Sequence, residues 1–401
     1  MKALRKESPR SRGGKRIASV TRHSNILHGR PGFRLQSEWG YVSVLQGGGH
    51  ICELVSHKHG GVNPLWTPKW KTIDPVLYQE KKHRRIYGPP PEGKLLAGIA
   101  GHSISFDFFG PPSPEEVAAG HNTHGEAPVV SWRRKPQTNA PQPTLVYEAT
   151  LPQAQMHLQR TMTLDRTSPV VYCEETASNL SSFDRPISWN HHVTFGHPFL
   201  EPDVTLFDMP ATRSKVSPAS FSAQMRIQPD AEFQWPDAPQ KAGGVLNLRT
   251  SKSGQYGHYT AHLLDQKIEN AFIAVCNPRL RLLVLYVFKR NDYPWIGNWE
   301  ESYSRSHTPW NGRELCRGFE FSTTPFPIPR RETIANGELF GESTYVWLPA
   351  KGRSTTRYMV AMVEVPDSFI GVEAVELKSG SVLITEKSKR GILEIPVKHF
   401  L

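Results

Sequence analysis

Long apolar runs are missing from this 401-residue chain: no stretch approaches the roughly 18 apolar residues of a membrane-spanning helix. The basic start, "MKALRKESPRSRGGKR", has no apolar segment behind it and so makes a poor secretory signal. Together these absences predict a soluble, cytoplasmic protein. Cysteine is scarce as well. Cys52, Cys173, Cys276 and Cys316 lie far apart with no CxxC pair, which argues against a zinc knuckle or a disulfide framework and predicts reduced, partly buried thiols. No segment recurs at a fixed period, which argues against a propeller or solenoid. Helical patterning is nearly absent too. Only "PSPEEVAAG" carries it, with Ser113 as cap, Pro114 in the first turn, and Glu115 and Glu116 at the positive end.

What is present favours β-structure. Hydrophobic residues at 38%, with 10 Trp, 12 Tyr and 18 Phe, exclude a disordered chain, while 31 Gly and 34 Pro imply short elements joined by turns. "GYVSVLQGGGHICELVS" reads as two strands around a Gly turn, and "MHLQRTMTLDR" alternates with Met156, Leu158, Met162 and Leu164 on one face. "RLLVLYVF", residues 281–288, is apolar on both faces and predicts a central buried strand. The stretch from Gly61 to Lys94, rich in proline, aromatics and basic residues, reads as a long loop folded over the body. The formal charge is +11, but residues 1–16 hold seven Lys or Arg against one Glu and supply +6 of it. A flexible basic tail over 1–34 explains that excess more simply than a nucleic-acid-binding face. The expected architecture is all-β: a single large antiparallel β-sandwich over 35–401 with few short helices.

Three segments carry chemistry. In "ISWNHHVTFG" strand alternation sends Ile187, Trp189, His191, Val193 and Phe195 to one face, and Ser188, Asn190, His192 and Thr194 to the other. The first face is apolar and belongs in a core, so His192 projects into a groove or into solvent and His191 points away from it. Taken alone, a solvated polar face is the commoner outcome. A second segment, "GHNTHGEAPVVSW", holds His121, His124 and Glu126. The two histidines are three apart and would face oppositely on a strand, so a metal site built from them and His192 is disfavoured. In the third, "CRGFEFSTTPFP", Glu320 lies between Phe319 and Phe321. Apolar surroundings would raise its pKa toward that of a base working near neutrality, although an outward Glu on an edge strand reads as well.

Taken in order, these segments resemble the aldose 1-epimerase (galactose mutarotase) superfamily. "NTHGEAPVVSW" is similar to that family's Asn-x-Leu-His-Gly-Gly loop and following Trp through Asn122, His124, Gly125 and Trp132. "HHVTF" resembles its Asn-His-x-x-Phe strand through His192 and Phe195, with His191 at the place of the Asn. "GFEFSTTPFP" looks like the strand that carries its general base, at Glu320. The second Gly of the loop is replaced by Glu126, and the family's sugar-binding Arg has no clear counterpart; "GHSISFDFFG" stands where it is expected, which makes His102 or Asp107 its substitute. The resemblance implies a galactose mutarotase-like supersandwich and a small carbohydrate as partner, with neither membrane nor nucleic acid involved.

The implied reaction interconverts the anomers of a free sugar through ring opening and needs no cofactor and no metal. Glu320 would be the base and His192 the acid acting on the ring oxygen, and His124 would stabilise charge there. His191, Glu126, Asn122, His102, Trp299 and Trp295 are the implied substrate-binding residues, with Trp66, Trp70 and Trp310 as further apolar platforms. Arg305, Arg313 or the cluster Lys81, Lys82, Arg84 and Arg85 would meet an acidic substituent if the substrate carries one, although solvated surface charge is the commoner reading for each. Two other readings stay open: a non-catalytic carbohydrate-binding protein, and an oligosaccharide lyase or hydrolase. A typical hydrolase would set a second carboxylate, Glu126 or Glu300, opposite Glu320.

Overall fold

The computed structural model describes residues 18–136, 141–219, 222–388, 391–398 and 401. Alternating apolar residues build two large antiparallel sheets that face each other. The first has twelve strands. From its edge run Ser19–Leu27, Arg30–Gln36, Gly40–Leu45, Ile51–Ser56, His102–Asp107 and Arg185–Gly196, followed by Leu315–Ser322, Trp295–Ser302, Tyr256–Leu264, Ala211–Val216 and Glu232–Phe233, while Val346–Leu348 pairs with the start of Arg185–Gly196. The second has eight, in the order Leu206–Asp208, Asn270–Asn277, Leu282–Lys289, Arg353–Glu364, Val170–Asn179, Met156–Leu164, Thr144–Leu151 and Arg133–Arg134. The core between them draws on both, for example Val44, Phe106, Trp189 and Phe321 against Leu158, Val284, Tyr286 and Tyr358.

The doubly apolar segment is explained by a third layer. Leu282, Val284, Tyr286 and Phe288 point into the inter-sheet core, whereas Leu283, Leu285 and Val287 meet Val382, Ile384 and Ile395 from a C-terminal three-stranded sheet (Val372–Lys378, Ser381–Glu386, Ile392–Pro396). A strand covered on both sides has no polar face to display.

Two expectations need correction. Residues 1–17 lie outside the described residues, but the ordered fold begins by Ser19 rather than at 35, because Ser19–Leu27 and Arg30–Gln36 form the edge of the first sheet. Ser19–Leu27 carries almost no buried side chain, so it shows no alternation to read; backbone pairing holds it. Arg30, counted with the tail, is buried, and its guanidinium donates to the carbonyls of Gly98 at 2.6 Å and Gly47 at 2.9 Å. The helices are few and short, as expected, but three of them fall where the sequence showed no helical pattern. Pro114–Ala118 forms with Ser113 and Glu116 closing a capping box, but Glu80–Tyr87, Gly93–Gly98 and Arg330–Asn336 are helical too. The first two of these lie inside or beside the segment read as a loop.

Candidate functional site

Arg185–Gly196 runs through the middle of the first sheet, hydrogen-bonded to His102–Asp107 on one side and Leu315–Ser322 on the other. Alternation places Trp189, His191, Val193 and Phe195 in the inter-sheet core and Asn190, His192 and Thr194 on the opposite face. That second face is not solvated: Asn190 is 0% and His192 6% exposed. It is roofed by a second apolar cluster in which Trp66, Trp70, Leu95, Leu96 and Trp310 pack over Tyr259, Trp299 and Cys316. Gly196 allows the approach, because a Cβ there would fall 2.9 Å from Trp66 Cα, and Trp66 N donates to Thr194 O at 2.8 Å.

Under this roof lies a cavity of about 400 Å³, lined among others by His192, Glu320, His124, Tyr259, Trp299 and Trp310. Glu320 follows Cys316 and Gly318 on one face of its strand, while Phe319 and Phe321 go to the core, so the carboxylate enters the cavity fully buried. His192 Nε2 stands 3.3 Å from Glu320 Oε1. The remaining polar atoms of the pair are oriented by neighbours: Asn190 Nδ2 donates to Glu320 Oε2 at 3.0 Å, and His192 Nδ1 lies 2.8 Å from Thr194 Oγ1. Two glycines make the space. A Cβ on Gly318 would collide with Glu320 Oε1 and come within 3.3 Å of His192 Cε1, and one on Gly297 would collide with the Tyr259 hydroxyl.

Burial sets the protonation of this pair. It pushes Glu320 up to about 8, the Asn190 hydrogen bond opposing, and pushes His192 down to about 4, with the Arg305 charge adding to the fall. Near neutrality the two groups therefore share a single proton, as carboxyl and imidazole or in the transposed form. His124 completes the group. Its backbone sits at φ +67°, its ring stacks on Phe109 at 5.1 Å and meets the His192 ring edge-on at 5.5 Å, and burial holds it well below the usual histidine pKa, hence neutral.

Of the residues singled out in the sequence, His192, Glu320, His124 and Trp299 meet in the cavity, with Trp66, Trp310 and Arg305. The others lie elsewhere. His191 and His102 are in the inter-sheet core, His191 Nδ1 3.1 Å from His102 Nε2, with His191 Nε2 2.9 Å from the Tyr293 hydroxyl and its ring stacked on Phe321 at 4.3 Å. Strand alternation overrides the motif position that made His191 a substrate contact. Glu126 is turned to the backbone, accepting from Ala154 N at 2.8 Å, and Asn122 donates to Gly120 O within its own loop. Trp295 shares the Trp299 side of its strand but lies near the far end, where its indole donates to Ser343 O at 2.9 Å. Asp107 is held by Arg185 at 3.1 Å and Arg330 at 2.9 Å. Glu300 accepts from the Tyr256 hydroxyl at 2.8 Å, so neither Glu126 nor Glu300 lines the cavity opposite Glu320. Asn190, Tyr259 and Phe109 were not singled out. Asn190 was recoverable from the alternation that identified His192; nothing in the sequence marks Tyr259 or Phe109. Among the described residues no group of three or more His, Cys, Asp or Glu is arranged to hold a metal ion.

No protein-family model matches the sequence, and no curated protein does. Solved structures do match. A candidate aldose 1-epimerase from Klebsiella pneumoniae superposes with a TM-score of 0.61 at 12% identity, over 84% of this chain and 80% of that one. A galactose mutarotase-like protein from Clostridium acetobutylicum gives 0.57 at 13%, over 87% and 99%. A candidate aldose 1-epimerase from Escherichia coli K12 gives 0.53 at 11%, over 86% and 100%. The chain therefore has the galactose mutarotase-like fold, an all-β sandwich. At such identities the likeness is one of fold, and the site must be argued on its own chemistry.

Proposed function

We propose that the protein is an aldose 1-epimerase-like isomerase that interconverts the anomers of a sugar hemiacetal by acid/base ring opening. The observation that carries this reading is the Glu320 and His192 pair, 3.3 Å apart and lining one cavity. Anomerisation removes a proton from the hydroxyl on C1 and adds one to the ring oxygen, which is bonded to the same carbon. Acid and base must therefore sit side by side, as these two do. Glu320 as carboxylate takes the hydroxyl proton while His192 as imidazolium protonates the ring oxygen. The C1–O5 bond breaks to give the aldehyde, C1–C2 rotates, and closure on the other face returns both protons. Each group ends as it began, so the cycle needs no cofactor. His124, whose ring packs edge-on against His192, would hydrogen-bond the ring oxygen as charge develops. Trp299, edge-on to His192 at 5.5 Å, offers an apolar face to the C–H side of a pyranose.

The test is magnetisation-exchange NMR on free sugars with wild type and Glu320→Gln. Acceleration by wild type alone supports the reading. Binding without acceleration in either protein would instead indicate a non-catalytic sugar-binding protein.

A further inference from the structure

Beyond Glu320, His192 and His124, the cavity has a second polar part made by Glu92, Thr123 and Arg305. It forms the open end, since the Glu92 side chain is 44% exposed whereas Glu320 is fully buried. Arg305 is fixed from behind. Glu301, itself buried, accepts from Ser304 N at 2.6 Å, Ser304 Oγ at 2.8 Å and Arg305 N at 3.0 Å, and its Oε2 stands 3.4 Å from Arg305 Nε. The guanidinium carbon rests 4.8 Å from the centre of the Trp310 ring. Its terminal nitrogens remain over. Arg305 Nη1 lies 3.7 Å from Glu92 Oε1, close enough for charge attraction but too far for a hydrogen bond, and neither terminal nitrogen nor the Glu92 carboxylate hydrogen-bonds any described residue.

Trp299 joins the two polar parts, its ring centre 5.5 Å from that of His192 and 5.4 Å from the Arg305 guanidinium carbon. A pyranose lying along Trp299 with C1 at the Glu320 and His192 pair thus extends its C3 and C4 hydroxyls toward Glu92 and Arg305. Each hydroxyl both donates and accepts; the carboxylate accepts, the guanidinium donates, and the two stand apart by the space such a pair would fill. Charge narrows the choice further. Arg305 is the single Lys or Arg among the described residues that line the cavity, and it already faces two carboxylates, Glu301 and Glu92, so no positive charge is left for a phosphate or uronate. We propose that Glu92 and Arg305 clamp the C3 and C4 hydroxyls of a neutral sugar, and that they select for those hydroxyls and against anionic sugars. The placement of C1 rests on the anomerase reading; the selectivity rests on the clamp.

The probes are D-glucose and D-galactose, 4-deoxy-D-xylo-hexose, which lacks the C4 hydroxyl of both, and D-glucose 6-phosphate. Binding is followed by quenching of tryptophan fluorescence and anomer exchange by NMR, for wild type, Glu92→Ala and Arg305→Met. Wild type is expected to bind the better of the two hexoses at least about tenfold more tightly than the deoxy sugar or the phosphate. In each variant the hexose should weaken to about the level of the deoxy sugar, whose own affinity changes less than about twofold. Equal binding of the deoxy sugar by wild type, tighter binding of the phosphate, or no binding of either hexose overturns the proposal. So does an equal loss for both neutral sugars in the variants, which is what an ion pair that merely fastens the cavity wall would give. A hexose preference that the variants abolish, with no accelerated exchange of any sugar, supports the clamp and removes the anomerase reading, so the two failures are distinct.

Discussion

Glu320 and His192 come from neighbouring strands of one sheet and meet at 3.3 Å over Gly318, whose missing side chain leaves the carboxylate its place. Sequence-distant elements then close over them, and the resulting burial moves both groups toward their neutral forms. The fold alone thus sets a carboxyl and an imidazole side by side in one cavity, which is what the proposed acid/base role requires.

A pH window follows. Below about 4 His192 holds a proton while Glu320 is also protonated, and above about 8 neither group holds one. Only between these limits does the pair carry the single proton that the reaction moves. A plot of log kcat/KM against pH should be flat from roughly 5 to 7 and fall on both sides, the two limits belonging to the pair as a unit. Glu320→Gln and His192→Gln should each lower kcat by about 10²–10⁴-fold. A profile that keeps rising through pH 9 would contradict a shared proton.

Gly318→Ala tests the floor of the site. The added methyl collides with Glu320 Oε1, which must turn from His192 or push the strand aside. An overpacked buried position costs about 1–3 kcal/mol, which a domain of this size should survive folded. Exchange activity should fall at least about tenfold, as a misplaced catalytic group loses its alignment. Circular dichroism should show native β-structure in the variant. Activity equal to wild type would mean that the carboxylate need not occupy this position.

The all-β fold was legible in the sequence, and so were four residues that line the cavity, His192, Glu320, His124 and Trp299. The facing of His192 and Glu320 comes from the two-residue period of a strand, but that period reads equally as a solvated face; what singled the two out was the resemblance of their segments to a family's motifs. Other elements leave no such trace. Glu80–Tyr87, EKKHRRIY, buries only Tyr87, and Ser19–Leu27 buries nothing fully, so neither shows a period. The motif match failed for His191 because it ranked position in a motif above direction. The polar network that receives His191, with Tyr293, His102 and the Arg160–Glu175 ion pair, is assembled from several separate strands that no local window contains.

His191 is accordingly a structural residue, which substitution can show. His191→Asn removes a ring stacked on Phe321 and leaves the Tyr293 hydroxyl and His102 short of a partner. Loss of buried packing and hydrogen bonds together should cost about 2–4 kcal/mol. Chemical denaturation should report that loss, while KM for the exchanging sugar stays within about twofold of wild type. A large rise in KM with unchanged stability would return His191 to the binding surface.

Glu320 should carry a measurable stability penalty of its own. Its carboxyl rises from 4.5 in the unfolded chain to about 8 in the folded one, so the folded state favours the protonated acid. The contribution is complete below pH 4.5, shrinks as pH rises toward 8, and is lost beyond it. Glutamine keeps the shape, can accept from Asn190 through its amide oxygen, and has no charge to desolvate. Glu320→Gln should therefore gain stability relative to wild type between pH 5 and pH 8.5, by on the order of 1–3 kcal/mol, as activity disappears. His192 does not cancel this, because its lowered pKa costs stability only as pH falls from 6.5 toward 4, at the acid end. Urea unfolding of both proteins at the two pH values decides the matter: a difference in free energy that does not change with pH would mean that Glu320 is ionised in the folded protein, and that the shared proton is not there.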